Sequence, residues 1–322
     1  MKLTFPLFTG PAEVARIELP IINSQERVLW LDFLPASIVA AAITPSFAAV
    51  VTAERSLILY SDKGRRLLNL TLEALPYVVR AVDKHLLIIT THGKLHRFNF
   101  DALSESGAPV SLLSILDIVG GPAASAHRSG PPQSLLEAFL CTNGAPVLVV
   151  PAAEKAYTID SRSSPASGAA GLVCITDSFY ADFSTCWDAN ARSRLTNSNA
   201  SSTDIDTAHL FWREPLKAIE QHVNVLVREH GGSTRSARTH PPPAGAAASG
   251  LALTATLRHL ETRLLAAELL GSAAEYRASL LTYSQQLAAE GIRNMAEDLI
   301  RSLLGPIYLF VKATFTCTRL YL

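Results

Sequence analysis

The sequence predicts an α+β protein: a β-propeller-like antiparallel domain followed by a C-terminal three-helix segment. Three observations carry this prediction. A strand–turn–strand pattern in the first half returns about 38 residues later. A long stretch without periodicity, rich in Pro and Gly, then interrupts the chain. Beyond it, apolar residues fall at helical spacing between punctuating glycines. With 322 residues, 48% hydrophobic and only 17% charged, the chain can bury a substantial core.

The strands come first. In "FAAVVTAERSLILYSDKGRRLL" (Phe47 to Leu68) two apolar runs flank a polar turn at Ala53 to Arg55. Ser61-Asp62-Lys63-Gly64 supplies a second turn, with a glycine suited to positive φ. "LLIITTHGKLHRFNFD" (Leu86 to Asp101) repeats the pattern, Ile89 answering Val51 and Phe98 answering Tyr60. A weaker third copy is "FLCTNGAPVLVV" continued by "KAYTID", from Phe139 to Asp160. A period near 40 residues is that of a WD40-type propeller blade. The same pattern also fits an antiparallel meander in another all-β fold. The most apolar window, Leu34 to Val51, is broken by Pro35 and Pro45 and reads as two buried strands rather than a membrane span.

Loops of small and polar residues separate the copies at Gly120–Gln133, Ser161–Gly171 and Ala191–Asp206. The longest, Arg228 to Gly250, contains Pro241-Pro242-Pro243 and reads as a disordered linker. The expected division is therefore a β-propeller-like domain over 1–227, a linker over 228–250, a helical segment over 251–306 and an atypical tail over 307–322.

Each helix has its own start and stop. Leu257, Leu260, Leu264, Ala267 and Leu270 form one helical face that ends at Gly271. Ser272 and Glu275 have capping-box spacing, and Tyr276, Leu280, Tyr283 and Leu287 follow on one side up to Gly291. The third helix carries Ile292, Met295, Leu299 and Leu303 and stops at Gly305-Pro306. Three apolar stripes must be buried against each other, the β domain or a partner.

Chemistry is sparse. Lys plus Arg and Asp plus Glu both number 28, so no net charge draws the chain to nucleic acid or anionic lipid. The expectation is no direct sequence-specific nucleic-acid binding and no membrane. Cys141, Cys174, Cys186 and Cys317 lack metal-ligand spacing and read as reduced thiols of a soluble intracellular protein. His92 and His96 lie four apart, but on a turn and a strand, without further ligands. "DSFYADF" (Asp177 to Phe183) places two acids among three aromatics, and packed aromatics with capping carboxylates account for it. Gly64-Arg65-Arg66 could hold a phosphate, and a turn followed by exposed basic residues explains it as well. No catalytic, cofactor or metal motif occurs, so no cofactor is expected and the chain does not read as an enzyme.

The helical stretch "TLRHLETRLLAAELLGSAAEYRASLLTYSQQLAAEGI", with "RSLLGP" after it, resembles the C-terminal domain of the HIRA (Hir) family of histone chaperones. The matching positions are Leu260-Glu261, Glu275-Tyr276-Arg277, Leu280-Leu281, Tyr283, Leu287, Glu290-Gly291 and Leu303 to Pro306. Upstream, "LILYSDKGRRLL", "GAPVLVV" with "KAYTID", and "VCITDSFYADF" are similar to family segments, so the resemblance runs over most of Ile38 to Pro306. Three departures stand out. A Trp-Asp pair of some members falls on Phe98-Asn99, and a His-Trp pair after "EYR" falls on Ala278-Ser279. The chain also ends in "IYLFVKATFTCTRLYL" where the family continues into helices. The family's amino-terminal propeller and the basic segment that docks the anti-silencing-factor chaperone have no counterpart, so the chain is expected to correspond to the C-terminal module.

The resemblance implies a non-catalytic scaffold subunit of a replication-independent nucleosome-assembly complex, in the nucleus, acting in chromatin organisation and transcriptional repression. It implies self-association as a homotrimer, docking of a Cabin/Hir-type scaffold subunit, and histones reached indirectly. Phe98, Asn99, Tyr276, Arg277 and Tyr283 are the candidate interface anchors. Tyr276 and Tyr283 are equally placed to be core residues. Phe98→Ala is expected to weaken self-association without unfolding the domain. Another propeller-plus-helix adaptor, of replisome or coat type, and a hydrolase with a site assembled from distant residues remain as alternatives.

Overall fold

The computed structural model of the protein describes residues 15–21, 27–115, 136–160, 171–187, 214–234 and 246–304. It opens with an antiparallel ribbon, β1 (Ala15–Ile21) and β2 (Arg27–Leu34). Three antiparallel sheets follow in chain order. The first runs β3 (Ile38–Ile43), β4 (Phe47–Thr52), β5 (Ser56–Ser61) and β6 (Arg66–Thr71). The second runs β7 (Pro76–Val82), β8 (His85–Thr90) and β9 (Lys94–Asn99), with the short β10 (Ser104–Glu105) and β11 (Val110–Ser111) both beside β9. The third runs β12 (Glu137–Leu140), β13 (Pro146–Val150), β14 (Lys155–Asp160) and β15 (Gly171–Asp177).

The repeat read from the sequence is a repeat of register. Val51 pairs with Leu57 and Ala48 with Tyr60 in the first sheet. Ile89 pairs with Leu95 and Leu86 with Phe98 in the second. Each sheet is thus a propeller-like blade, and β13 and β14 are the third copy. Gly64 shows why a turn residue is fixed: its φ is +81°, and a Cβ there would lie 2.5 Å from the Trp30 ring.

Blade packing follows from strand alternation, because successive side chains point to opposite faces. One face of the first blade (Ala48, Val50, Ile58, Tyr60) meets Leu34 and Trp30 of the ribbon. Its other face (Phe47, Ala49, Val51, Leu57, Leu59) meets Leu86, Ile88 and Phe98 of the second blade. The reverse face of that blade (Leu87, Ile89, Leu95) meets Ala138, Leu148 and Val150 of the third. The last open face (Val147, Val149, Ala156, Ile175) is closed by helices.

Those helices are α1 (Phe179–Phe183), α2 (Pro215–Thr234), α3 (Ala246–Leu269), α4 (Ala273–Ala289) and α5 (Arg293–Leu304). Leu216, Ile219, Val223 and Leu226 of α2, with Ala266, Ala267 and Leu270 of α3, cover the third blade. Leu257 and Leu260 of α3, with Tyr283 and Leu287 of α4, form a smaller core on which Met295 and Leu299 of α5 pack. The three C-terminal helices are therefore present, and α2 is a fourth that the sequence reading missed.

The linker expected over 228–250 is corrected at both ends. The α2 helix runs on to Thr234 and α3 begins at Ala246, leaving 235–245 outside the described residues. α2 also starts inside the range assigned to the β domain. The tail over 307–322, Cys317 and nearly all of the three shorter loops lie outside the described residues.

Both glycine stops have a defined geometry. Gly271 (φ +70°) donates its N–H to the Glu268 carbonyl and Ser272 donates to Ala267, the paired bonds of a Schellman motif. The capping box is corrected. Ser272 makes no side-chain cap bond. The Glu275 carboxylate instead accepts the backbone N–H groups of Leu216 (3.1 Å) and Lys217 (2.9 Å), capping α2 from a different helix.

Candidate protein-interaction surface and its buried support

The five candidate anchors do not form one patch. Phe98 is 4% exposed and belongs to the core between the first and second blades. An expectation is thereby corrected: Phe98→Ala hollows a core and cannot leave the fold untouched. Asn99 is partly buried, and its Oδ1 accepts the N–H of Asp101 in the turn after β9. Tyr276 is partly buried against the helix–blade core. Tyr283 is 5% exposed, and its hydroxyl donates to Glu261 Oε1 at 3.0 Å. Burial, followed by that carboxylate, pushes the Tyr283 phenol up to about 12. Arg277 is exposed.

Arg277 belongs to a surface that the sequence did not single out. Leu281, one turn further along α4, is 63% exposed, and Ala274, Ala278 and Ala288 lie exposed on the same side. At the end of α5, Ile300, Leu303 and Leu304 are all more than half exposed, Leu304 at 71%. Large apolar side chains spread over two helices are what a partner-binding face offers, since a chain normally buries such groups. Phe33 on β2 and Tyr77 on β7 are further exposed apolar side chains, on the blades.

Beneath the helices lies a buried polar relay. Ser184 Oγ is 2.9 Å from His259 Nδ1, His259 Nε2 is 3.2 Å from Glu220 Oε1, and Arg263 Nη1 donates to Glu220 Oε2 at 3.2 Å. With Nε2–H donating to the carboxylate, Nδ1 accepts from the serine hydroxyl, whose oxygen accepts the Cys186 N–H at 3.3 Å. Residue for residue this is a nucleophile–base–acid order, the arrangement that a hydrolase reading asks for. The setting differs. His259 is 1% exposed, and the Tyr180 and Trp187 rings lie 5.1 and 5.0 Å from its imidazole. Trp187 is itself fixed by its indole N–H, which donates to Asn224 Oδ1 at 2.9 Å. Ser184 is itself only 7% exposed, and its hydroxyl is engaged by both His259 and the Cys186 N–H. The relay pins α2 and α3 to the segment after α1.

The other motifs resolve into structure. Arg66 pairs with Asp32 at 2.6 Å and donates to the Phe33 carbonyl, and both it and Arg65 of Gly64-Arg65-Arg66 are exposed. Burial raises the Asp32 carboxyl, but Arg66, the Tyr60 hydroxyl and the Phe33 N–H outweigh it and hold the group below its ordinary value. His92 is exposed on its turn, while His96 is buried with Nδ1 2.8 Å from Glu105. Asp177 accepts the Phe179 N–H at the start of α1 and pairs with Lys155 at 2.8 Å. Cys141, Cys174 and Cys186 are free thiols, and burial pushes Cys141 up to about 12 and Cys174 up to about 11. Among the described residues no group of three or more His, Cys, Asp or Glu converges on a metal position, and no helix is long and apolar enough to cross a membrane.

Comparison with known proteins places this architecture. The Hira family model, described as TUP1-like enhancer of split, matches residues 64–303. Protein HIR1 of Mycosarcoma maydis is 35% identical over 310 residues, which is 92% of this chain and 27% of that protein. Protein hir-1 of Neurospora crassa is 27% identical over 306 residues, 92% of this chain and 29% of that protein. The chain therefore spans less than a third of the length of these curated relatives. A crystal structure of HIRA has the same fold, with a TM-score of 0.57 at 20% identity, covering 93% of this chain and 78% of that one.

Proposed function

The chain belongs to the Hira family, and from that membership we propose that it is a non-catalytic scaffold module of a Hir-type, replication-independent histone-chaperone complex. It acts in the nucleus, in nucleosome assembly, chromatin organisation and transcriptional repression. It self-associates as a homotrimer and docks a Cabin/Hir-type scaffold subunit, and histones are engaged through the complex. The observation that carries this reading is the family match over 64–303, which takes in β6, the second and third blades and the helices as far as the end of α5.

The exposed helical face supports a mechanism of assembly by burial. Covering a leucine fully contributes about 1.5–3 kcal/mol, so Leu281, Leu303 and Leu304 are large contributors once a partner lies over them. Arg277, exposed one turn before Leu281 on α4, is a polar anchor of the kind that dominates interface energetics. A standard interface buries about 1,600 Å² in total. The test is affinity capture of the tagged chain from its own cells, probed for histone H3 and for a Cabin/Hir-type subunit. Both are expected in the captured complex. Capture of the chain without either contradicts the assignment.

A further inference from the structure

The second and third blades enclose a small cleft of about 170 Å³, lined by His85, Leu86, Arg97, Phe98, Ser106, Asn143 and Gly144. Its size is below the roughly 300–1,000 Å³ of sites for whole small molecules, so it suits a single functional group. Arg97 is the unusual member. It points to the same side of β9 as Leu95, toward the third blade, and its Nη2 lies 3.5 Å from where a Cβ on Gly107 would stand. Among the described residues its guanidinium makes no hydrogen bond or ion pair, although it is only partly exposed. Glu105, the acid whose charge reaches Arg97, is committed elsewhere, lying 2.8 Å from His96 Nδ1. Asn143 is also spent, its Nδ2 donating to the Leu270 carbonyl and its Oδ1 accepting the Ala145 N–H. The Ser106 hydroxyl and the His85 imidazole have no side-chain hydrogen bond among the described residues.

We propose that this cleft is an oxyanion-binding site, taking a carboxylate or phosphate group carried on a peptide side chain, with Arg97 as the forked donor and Ser106 as the supporting one. A guanidinium presents several N–H donors in a plane that matches two oxygens of either anion, and it stays charged when partly buried. Burial pulls its pKa below the ordinary value, and Glu105 only partly opposes this, so a bound anion would relieve the desolvation. The proposal stands apart from the chaperone reading, because it needs only the groups in the cleft.

The test is an NMR titration of the full ¹⁵N-labelled chain, following arginine Nε–H signals, with acetate or inorganic phosphate against chloride at equal ionic strength. The Arg97 signal is identified by its loss in Arg97→Gln. A saturable shift in the millimolar range is expected. Arg97→Lys, read from the backbone amide shifts of Ser106 and Gly144 that line the cleft, keeps the charge but loses the fork, and should weaken binding about tenfold, or ~1.4 kcal/mol. Ser106→Ala should weaken it about threefold. Saturation by acetate alone assigns an Asp or Glu side chain, and saturation by phosphate alone assigns a phosphorylated one. Drift no different from chloride, or unchanged affinity in Arg97→Lys, overturns the site. The lysine variant also keeps the test valid if Arg97→Gln does not fold.

Discussion

Replacing Glu275 by alanine should detach the start of α2 from α4. Glu275 is buried, and its two oxygens accept the N–H groups of Leu216 and Lys217 at 3.1 and 2.9 Å. The local alternative is occupied, since the Glu214 side chain pairs with Lys217 Nζ at 2.8 Å. Loss of a cap costs about 1 kcal/mol, and a hydrogen bond to a charged group contributes about 1.5–3 kcal/mol. One of the two donors is only part-buried and can recover water, so a total near 3 kcal/mol follows. That corresponds to a fall in Tm of about 6–12 °C, read by circular dichroism. Glu275→Gln keeps one acceptor and should lose about a third as much. Acidification gives an independent check. Burial, although opposed by the Lys217, Ser272 and Leu216 donors, leaves the folded carboxyl above its ordinary value of 4.5. Its contribution is therefore full below that value and declines as pH rises through the raised one, so wild type should gain on Glu275→Gln as pH falls from 7 toward 5. Unchanged Tm in both variants would refute the cross-helix cap.

Other substitutions test the remaining layers. Phe98→Ala should cost about 3–5 kcal/mol in urea unfolding, whereas Leu281→Asp should stay within about 0.5 kcal/mol, because only Phe98 fills a core. His259→Ala leaves Glu220 and Ser184 without their shared partner and should cost about 3–5 kcal/mol by the same measurement. Gly64→Ala forces a Cβ to 2.5 Å from Trp30 at φ +81°, and should lower stability by about 2 kcal/mol with a change in tryptophan fluorescence.

Local signals in the sequence proved legible and distant ones did not. The offset between Val51 and Ile89 was visible because both pair across hairpins of one length, and it became the blade repeat. Gly271 and Gly291 marked helix ends because each needs a positive φ. The stripe Leu216, Ile219, Val223 and Leu226 was there to find as α2, but it sits between two polar, loop-like stretches. Phe98 looks like an interface anchor in the sequence because alternation along one strand says nothing of the neighbouring blade that covers it. Ser272 and Glu275 had the spacing of a local box, and the competing donors lay 58 and 59 residues away. The relay joins His259 to groups 75 and 39 residues distant, with no motif to announce it. The Arg277–Leu281 face is defined by what does not pack on it, which only the packed structure reveals.

The claim that this chain is a self-associating scaffold is tested most directly by its mass in solution, measured by light scattering over a concentration series. The account predicts a species of three times the 34.6 kDa chain mass at the higher concentrations, and its loss in Leu281→Asp with the fold retained. A mass of 34.6 kDa at every concentration would contradict it.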